Sequence, residues 1–243
     1  MSTREERIPR LEGDGYELTY LILASLFIAA LVACNLIFQK FFVLDIPLPG
    51  GRSYTFHQSV GIIAYPLTFL VTDILSEIYG ARRANQVVLA GLIASVFTAA
   101  LVELADIAPS AEFGIGSPVF HQVFGLSKIA VFASMAAYLT AQFIDIRLFH
   151  FWKRLTKGEH LWLRNNASTI TSQLVDTIVV LVLLASFGAA GITWDKLPML
   201  ILDGLLFKWA CALLDTPLFY LAVGALRRRF PEQCAVMDEA EPG

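Results

Sequence analysis

The sequence predicts an all-α integral membrane protein, a six-transmembrane-helix bundle, on three observations. First, the 243 residues are 56% hydrophobic and 16% charged, with a mean hydropathy of +0.64, too apolar for a soluble domain of this length. Second, six stretches reach the roughly 20 apolar residues that a helix needs to cross hydrocarbon. Third, thirteen of the 18 Lys and Arg residues fall in the two tails and in alternate connections. By the positive-inside rule this places both termini in the cytoplasm, which requires an even number of spans.

The elements follow in order. Residues 1–17 form a cytoplasmic tail with Arg4, Arg7 and Arg10, followed by a first span at 18–42 that is too long for the core of a signal peptide. Asn35 lies inside that span, and Gln39 and Lys40 lie near its end. "DIPLPGGRS" (45–53) is read as a connection, rich in turn formers, to span two at 60–79. Pro66 sits near the outer start of span two, where a missing N–H costs least. Asp73 and Glu77 lie one helical turn apart within it, and "GARR" (80–83) closes it before span three at 85–105. The outer segment 106–126 is the longest loop on that side, and Ser117-Pro118 starts a short interfacial helix carrying Val119, Phe120 and Val123.

Span four, 127–149, supplies Gln142 and Asp145. The stretch 147–166 mixes Trp152 and Trp162 with basic residues, the composition of a segment lying among lipid headgroups and not of a nucleic-acid patch. Span five, 167–190, supplies Ser168, Thr169, Gln173 and Asp176. Span six, 197–226, supplies Lys208 and Asp215, with Pro217 placed to bend it. Arg227, Arg228 and Arg229 open the cytoplasmic tail, 227–243. The transport domain is therefore 18–226. "AQFID" (141–145) and "SQLVD" (172–176) each set a Gln three residues before an Asp, on one helix face.

The spans use up most of the chain, which argues against a separate catalytic or ATP-binding domain, and no Gly-rich phosphate loop appears. HExxH and GxSxG are missing, and His57, His121, His150 and His160 all fall at helix ends or in loops. The expectation is a non-enzyme with no cofactor and no metal, whose Cys34, Cys211 and Cys234 are packing residues. Each acid or Lys in a span costs roughly 2.5–3.5 kcal/mol at the bilayer centre, so such residues face a bundle interior or a wet cavity. They could simply satisfy one another, with Lys208 paired to Asp176 or Asp73. The acids in the spans outnumber the bases, however, and a ligand-filled pocket accounts for the excess better. Carboxylates, amides and aromatic faces suit a flat polar heterocycle such as a guanine-like ring, among others.

The segments "ACN" (33–35), "YPLTFLVTDILSEIYGARRA" (65–84), "AQFIDIRLFHFWKRLT" (141–156), "WLRNNASTITSQLVDT" (162–177) and "LLFKWACALLDTPLFY" (205–220) resemble the queuosine precursor transporters, the YhhQ type of the vitamin uptake transporter family. The resemblance implies import of 7-deazaguanine bases, 7-cyano-7-deazaguanine and 7-aminomethyl-7-deazaguanine, for queuosine salvage into tRNA. It also implies a fold similar to the substrate-binding subunits of energy-coupling-factor transporters, in the bacterial inner membrane. On this chain it carries over Asn35, Asp73, Asp145, Ser168, Thr169, Asp176 and Lys208, with Glu77, Gln142 and Gln173 as further candidates for the substrate site. Lys208 is expected to neutralise an Asp. The expected partners are the small-molecule base, the lipid bilayer and a second copy in a homodimer, with no nucleic acid and no obligatory ATPase module. Two other readings stay open: the substrate-binding subunit of an ATPase-dependent importer of a biotin- or riboflavin-like vitamin, and an intramembrane enzyme.

Overall fold

The computed structural model describes residues 11–37, 40–49, 52–125, 128–157, 159–187 and 192–240. In chain order these form α1 (Leu11–Ile37), β1 (Phe41–Leu48), β2 (Arg52–Ser59), α2 (Tyr65–Ile107), α3 (Ser117–Phe124), α4 (Lys128–Leu155), α5 (Leu161–Ser186), α6 (Leu197–Arg229) and α7 (Pro231–Ala240). Among the described residues, four helical stretches are long and apolar enough to cross a membrane: Gly15–Ile37, Val60–Ile107, Asn166–Ser186 and Trp194–Arg229. The chain is thus a multi-pass helical membrane protein. α4 has the length, 28 residues, but is not among those four, and it carries Gln142, Asp145 and Arg147 along its course.

The stretch Val60–Ile107 is not one rod. Gly80 adopts φ 82°, ψ 163°, a region that a side chain makes prohibitive, and it divides α2 into limbs 65–79 and 81–107. Contacts with α1 give the direction of each limb. The Tyr16 hydroxyl donates to the Ile78 carbonyl at 2.8 Å, Arg83 pairs with Glu17 at 2.8 Å, and the Asn35 amide donates to Ser95 Oγ at 3.4 Å. Residues 81–107 therefore run alongside α1 in the same sense. Residues 65–79 run back against it, starting where Cys34 meets the Ala64 backbone and ending beside Tyr16. The turn predicted at "GARR" is this reversal. Gly80→Ala is expected to cost about 1–3 kcal/mol, because a Cβ forbids the backbone geometry that lets the two limbs fold together. A lowered Tm of the detergent-purified variant measures it.

The connection after α1 differs from expectation. The helix stops at Ile37, short of the predicted 42, and the segment read as a loop is an antiparallel hairpin from Phe41↔Ser59 to Leu48↔Arg52. Gln39 lies outside the described residues. Aromatic and branched residues fill β1 from Phe41 to Leu44 and the middle of β2 at Tyr54, Thr55 and Phe56, and "PGG" (49–51) separates them, a strand–turn–strand pattern. The register puts Phe42, Leu44, Ile46, Tyr54, Phe56 and Gln58 on one face. That face meets α6: the Tyr54 hydroxyl donates to the Asp203 carboxylate, and the Phe42 and Phe207 rings lie 6.5 Å apart.

The predicted short helix after Ser117-Pro118 is α3, with Val119 and Val123 exposed. Helical structure also extends into both predicted tails, since α1 begins at Leu11 and α7 follows α6. The Tyr16 and Phe230 rings stack edge to face at 5.5 Å. The apolar core joins Phe27 and Leu31 of α1, Leu75, Tyr79 and Val88 of α2, Phe149 of α4, and Phe219 and Val223 of α6. It leaves the middle of the bundle to polar residues.

Candidate functional site

The polar residues of α2, α4, α5 and α6 converge because their helices bury one stripe each. On α2 that stripe is unbroken: every residue from Val71 to Gly80 is buried, Thr72, Asp73, Ser76 and Glu77 among them. Spacings of three and four residues bring Gln142 and Asp145 of α4, and Ser168, Thr169, Ser172, Gln173, Asp176 and Thr177 of α5, to buried positions as well.

The first group centres on Asp73. Its Oδ2 accepts from Thr169 Oγ1 at 3.1 Å, and its carboxyl lies within hydrogen-bonding reach of Asp145. Asp145 Oδ1 accepts from Ser172 Oγ at 2.7 Å, and Ser168 also faces that carboxyl. Gln142 Nε2 donates to Thr72 Oγ1 at 2.6 Å. The Thr72 hydroxyl is within reach of the Thr68 and Phe69 carbonyls of its own helix, both at 3.0 Å, so its proton is committed there and it can only accept from Gln142. That fixes the amide. Gln142 Oε1 is then left buried and without a donor among the described residues, as is Gln173 Oε1 one turn from Asp176.

The second group centres on Lys208. Its Nζ pairs with Asp176 Oδ2 at 2.6 Å, donates to Thr177 Oγ1 at 3.0 Å and sits 4.6 Å above the Tyr65 ring. The Tyr65 hydroxyl faces Asp176, and Tyr65 meets Tyr138 edge to face at 5.9 Å. Two tyrosine rings thus lie beside the Asp176–Lys208 pair, and Tyr138 also neighbours Asp145. Neither tyrosine was picked out from sequence, although the spacing carries a signal: Tyr138 precedes Gln142 by four residues and Asp145 by seven, on one face of α4.

The remaining two sequence candidates lie apart from these groups. Glu77 is buried near the basic end, with Oε1 paired to Arg227 Nη2 at 2.7 Å, a partner not anticipated from sequence. Asn35 is half-buried and turned toward Ser95, among Val32, Leu36, Thr98 and Met135.

A family profile described as "Putative vitamin uptake transporter" matches residues 59–222. The chain belongs to this family. The matched region holds both groups, leaving out only Asn35 of the sequence candidates and Arg227, the partner of Glu77. Over 167 residues the chain is 26% identical to the "Probable queuosine precursor transporter" of Bacillus subtilis, covering 68% of this chain and 71% of that one. It is 29% identical over 123 residues to the "Queuosine precursor transporter" of Escherichia coli, covering 51% of this chain and 53% of that one. It is 25% identical over 132 residues to the "Probable queuosine precursor transporter" of Haemophilus influenzae, covering 54% of each. The last two matches span about half the length of those proteins. No solved structure matches this vitamin uptake transporter.

Proposed function

We propose that this chain imports a queuosine precursor, a 7-deazaguanine base such as 7-cyano-7-deazaguanine, and holds it between α2, α4, α5 and α6. The observation that carries the reading is a buried surplus of acceptors. Among the described residues, Gln142 Oε1 and Gln173 Oε1 lack donors, and the carboxylates of Asp73 and Asp145 hydrogen-bond with hydroxyl groups and each other. A guanine-like ring presents adjacent N–H donors along one edge and flat faces for stacking, which complement this acceptor set and the tyrosine rings beside it. The names of the three relatives select that ligand among the heterocycles that the chemistry permits.

In this reading Asp73, Asp145, Gln142 and Gln173 take the N–H edge of the base, Thr169 and Ser168 orient the carboxylates, and Tyr65 and Tyr138 flank the ring. Asp176 and Lys208 form the neutral wall of the pocket. Asn35 and Glu77 lie toward the two ends of the path. The passes are six: α1, the two limbs of α2, α4, α5 and α6, each antiparallel to the next. The Tyr16–Ile78, Glu17–Arg83 and Glu77–Arg227 contacts gather the start of α1 and the end of α6 at one basic face, and the positive-inside rule supports reading that face as the cytoplasmic side of the inner membrane. The protein works as a homodimer without an ATPase module, and the fold is that of the energy-coupling-factor binding subunits.

The test is queuosine in the tRNA of a host that neither makes nor imports the precursor, supplied with a low concentration of 7-cyano-7-deazaguanine. Expression of this chain alone is expected to restore queuosine. No restoration, with the protein verified in the membrane, would move the reading to a vitamin-binding subunit that needs a separate module.

A further inference from the structure

We propose that the Asp73–Asp145 pair takes up one proton with each neutral base and carries it through the membrane, making the chain a proton symporter. The inference rests on the transport reading above and adds its energy source.

The argument begins with the charges around the pair. Asp73 of α2 is 2% exposed and Asp145 of α4 is fully buried, and their carboxyl groups lie within hydrogen-bonding reach. Among the described residues, Arg147 of α4 is exposed and the cations of α6 inside the bundle are engaged elsewhere. Lys208 of α6 holds Asp176, and Arg227 of α6 holds Glu77. The charged group that α6 does turn toward Asp73 is Asp215, another acid. α5 offers the hydroxyls of Ser168, Thr169 and Ser172, and Asn35 of α1 is turned to Ser95. Two ionised carboxylates in contact, with no cation paired to them among the described residues and a third acid nearby, repel strongly away from water. A proton shared between them removes the repulsion, as in paired-aspartate sites.

A second observation points the same way. Asp145 Oδ2 is buried and has no hydrogen-bond donor among the described residues, and a proton on Asp73 supplies one. Gln142 Oε1, one turn away on the same face of α4, also lacks a donor and marks where the base sits beside the pair. A neutral base brings N–H groups to these acceptors but no positive charge. It therefore leaves the need for the proton intact, and the helices can close around the base only when the pair is singly protonated. Opening to water on either side restores hydration of both carboxylates and lets the proton leave with the base. The two cargoes travel together because the base displaces the water beside the pair: an empty, wet site returns with both carboxylates hydrated and ionised, and the base-filled, dry site excludes the doubly ionised pair.

The test uses the full chain reconstituted in liposomes with an entrapped pH dye and the membrane potential clamped. Adding 7-cyano-7-deazaguanine outside, with no pH gradient, is expected to acidify the lumen by about one proton per base entering. A lumen made alkaline by one pH unit is expected to accumulate base about tenfold. In Asp73→Asn and Asp145→Asn the amide N–H replaces the shared proton. The ratio of protons to base is then expected to fall to zero in whatever base flux remains, a readout that loss of packing alone would not move. Base entry into wild-type liposomes without acidification would overturn symport and leave the transport reading standing. No base entry at all would overturn both.

Discussion

Lys208→Met is expected to destabilise the protein by about 3–5 kcal/mol, the largest stability loss of any single change proposed for the bundle. The ammonium is nearly buried, with 10% side-chain exposure, and meets a carboxylate exposed by only 8%. Methionine fills a similar volume, so packing is nearly retained, but the change strands the ionised Asp176 between α5 and α6. The Tyr65 hydroxyl that faces it can offer a hydrogen bond but no positive charge, and the Thr177 hydroxyl is committed to the Gln173 carbonyl. Thermal unfolding of the detergent-solubilised variant reads the loss. The double variant Lys208→Met with Asp176→Asn is expected to recover most of it, since no stranded charge remains. If the two single changes add without interaction, the pair is not coupled and the assignment of Lys208 as a charge neutraliser is wrong.

Gln142→Leu is expected to raise the KM for 7-cyano-7-deazaguanine uptake ten- to a hundredfold, about 1–3 kcal/mol, with normal membrane abundance. Leucine preserves the bulk of a side chain that is fully buried and sacrifices one hydrogen bond within the protein, the 2.6 Å bond to Thr72. The Thr72 hydroxyl keeps its bonds to its own helix carbonyls, so the folding cost stays near 1 kcal/mol. What disappears is the acceptor Oε1, which the fixed orientation of the amide aims away from Thr72. An unchanged KM would remove Gln142 from the site, and the acceptor-surplus argument would then rest on Gln173 and the carboxylates.

The sequence by itself determined that the chain is a helical membrane protein, where its polar residues fall along each helix, and where the chain turns back after span two. Those are local properties. Hydropathy accumulates over a window of about 20 residues, side-chain direction repeats every 3.6 residues, and Gly80 announces its reversal through the residues next to it. The echo of Gln142–Asp145 in Gln173–Asp176 was legible for the same reason, and all four side chains are buried.

Only the tertiary structure decided which polar groups meet. Sequence left Lys208 open to Asp176 or Asp73, and the packing of α5 on α6 gave it Asp176, 32 residues away. Glu77 found Arg227 from 150 residues along the chain, and the hairpin residue Tyr54 found Asp203 from 149. Periodicity gives the buried face of a helix but not the face set against it, because that depends on how side chains from distant segments fill space together. The hairpin itself was hidden because Phe41 and Phe42 read as the end of span one and 45–53, rich in turn formers, as a connection, until tertiary contact with α6 gave the inner face something to cover.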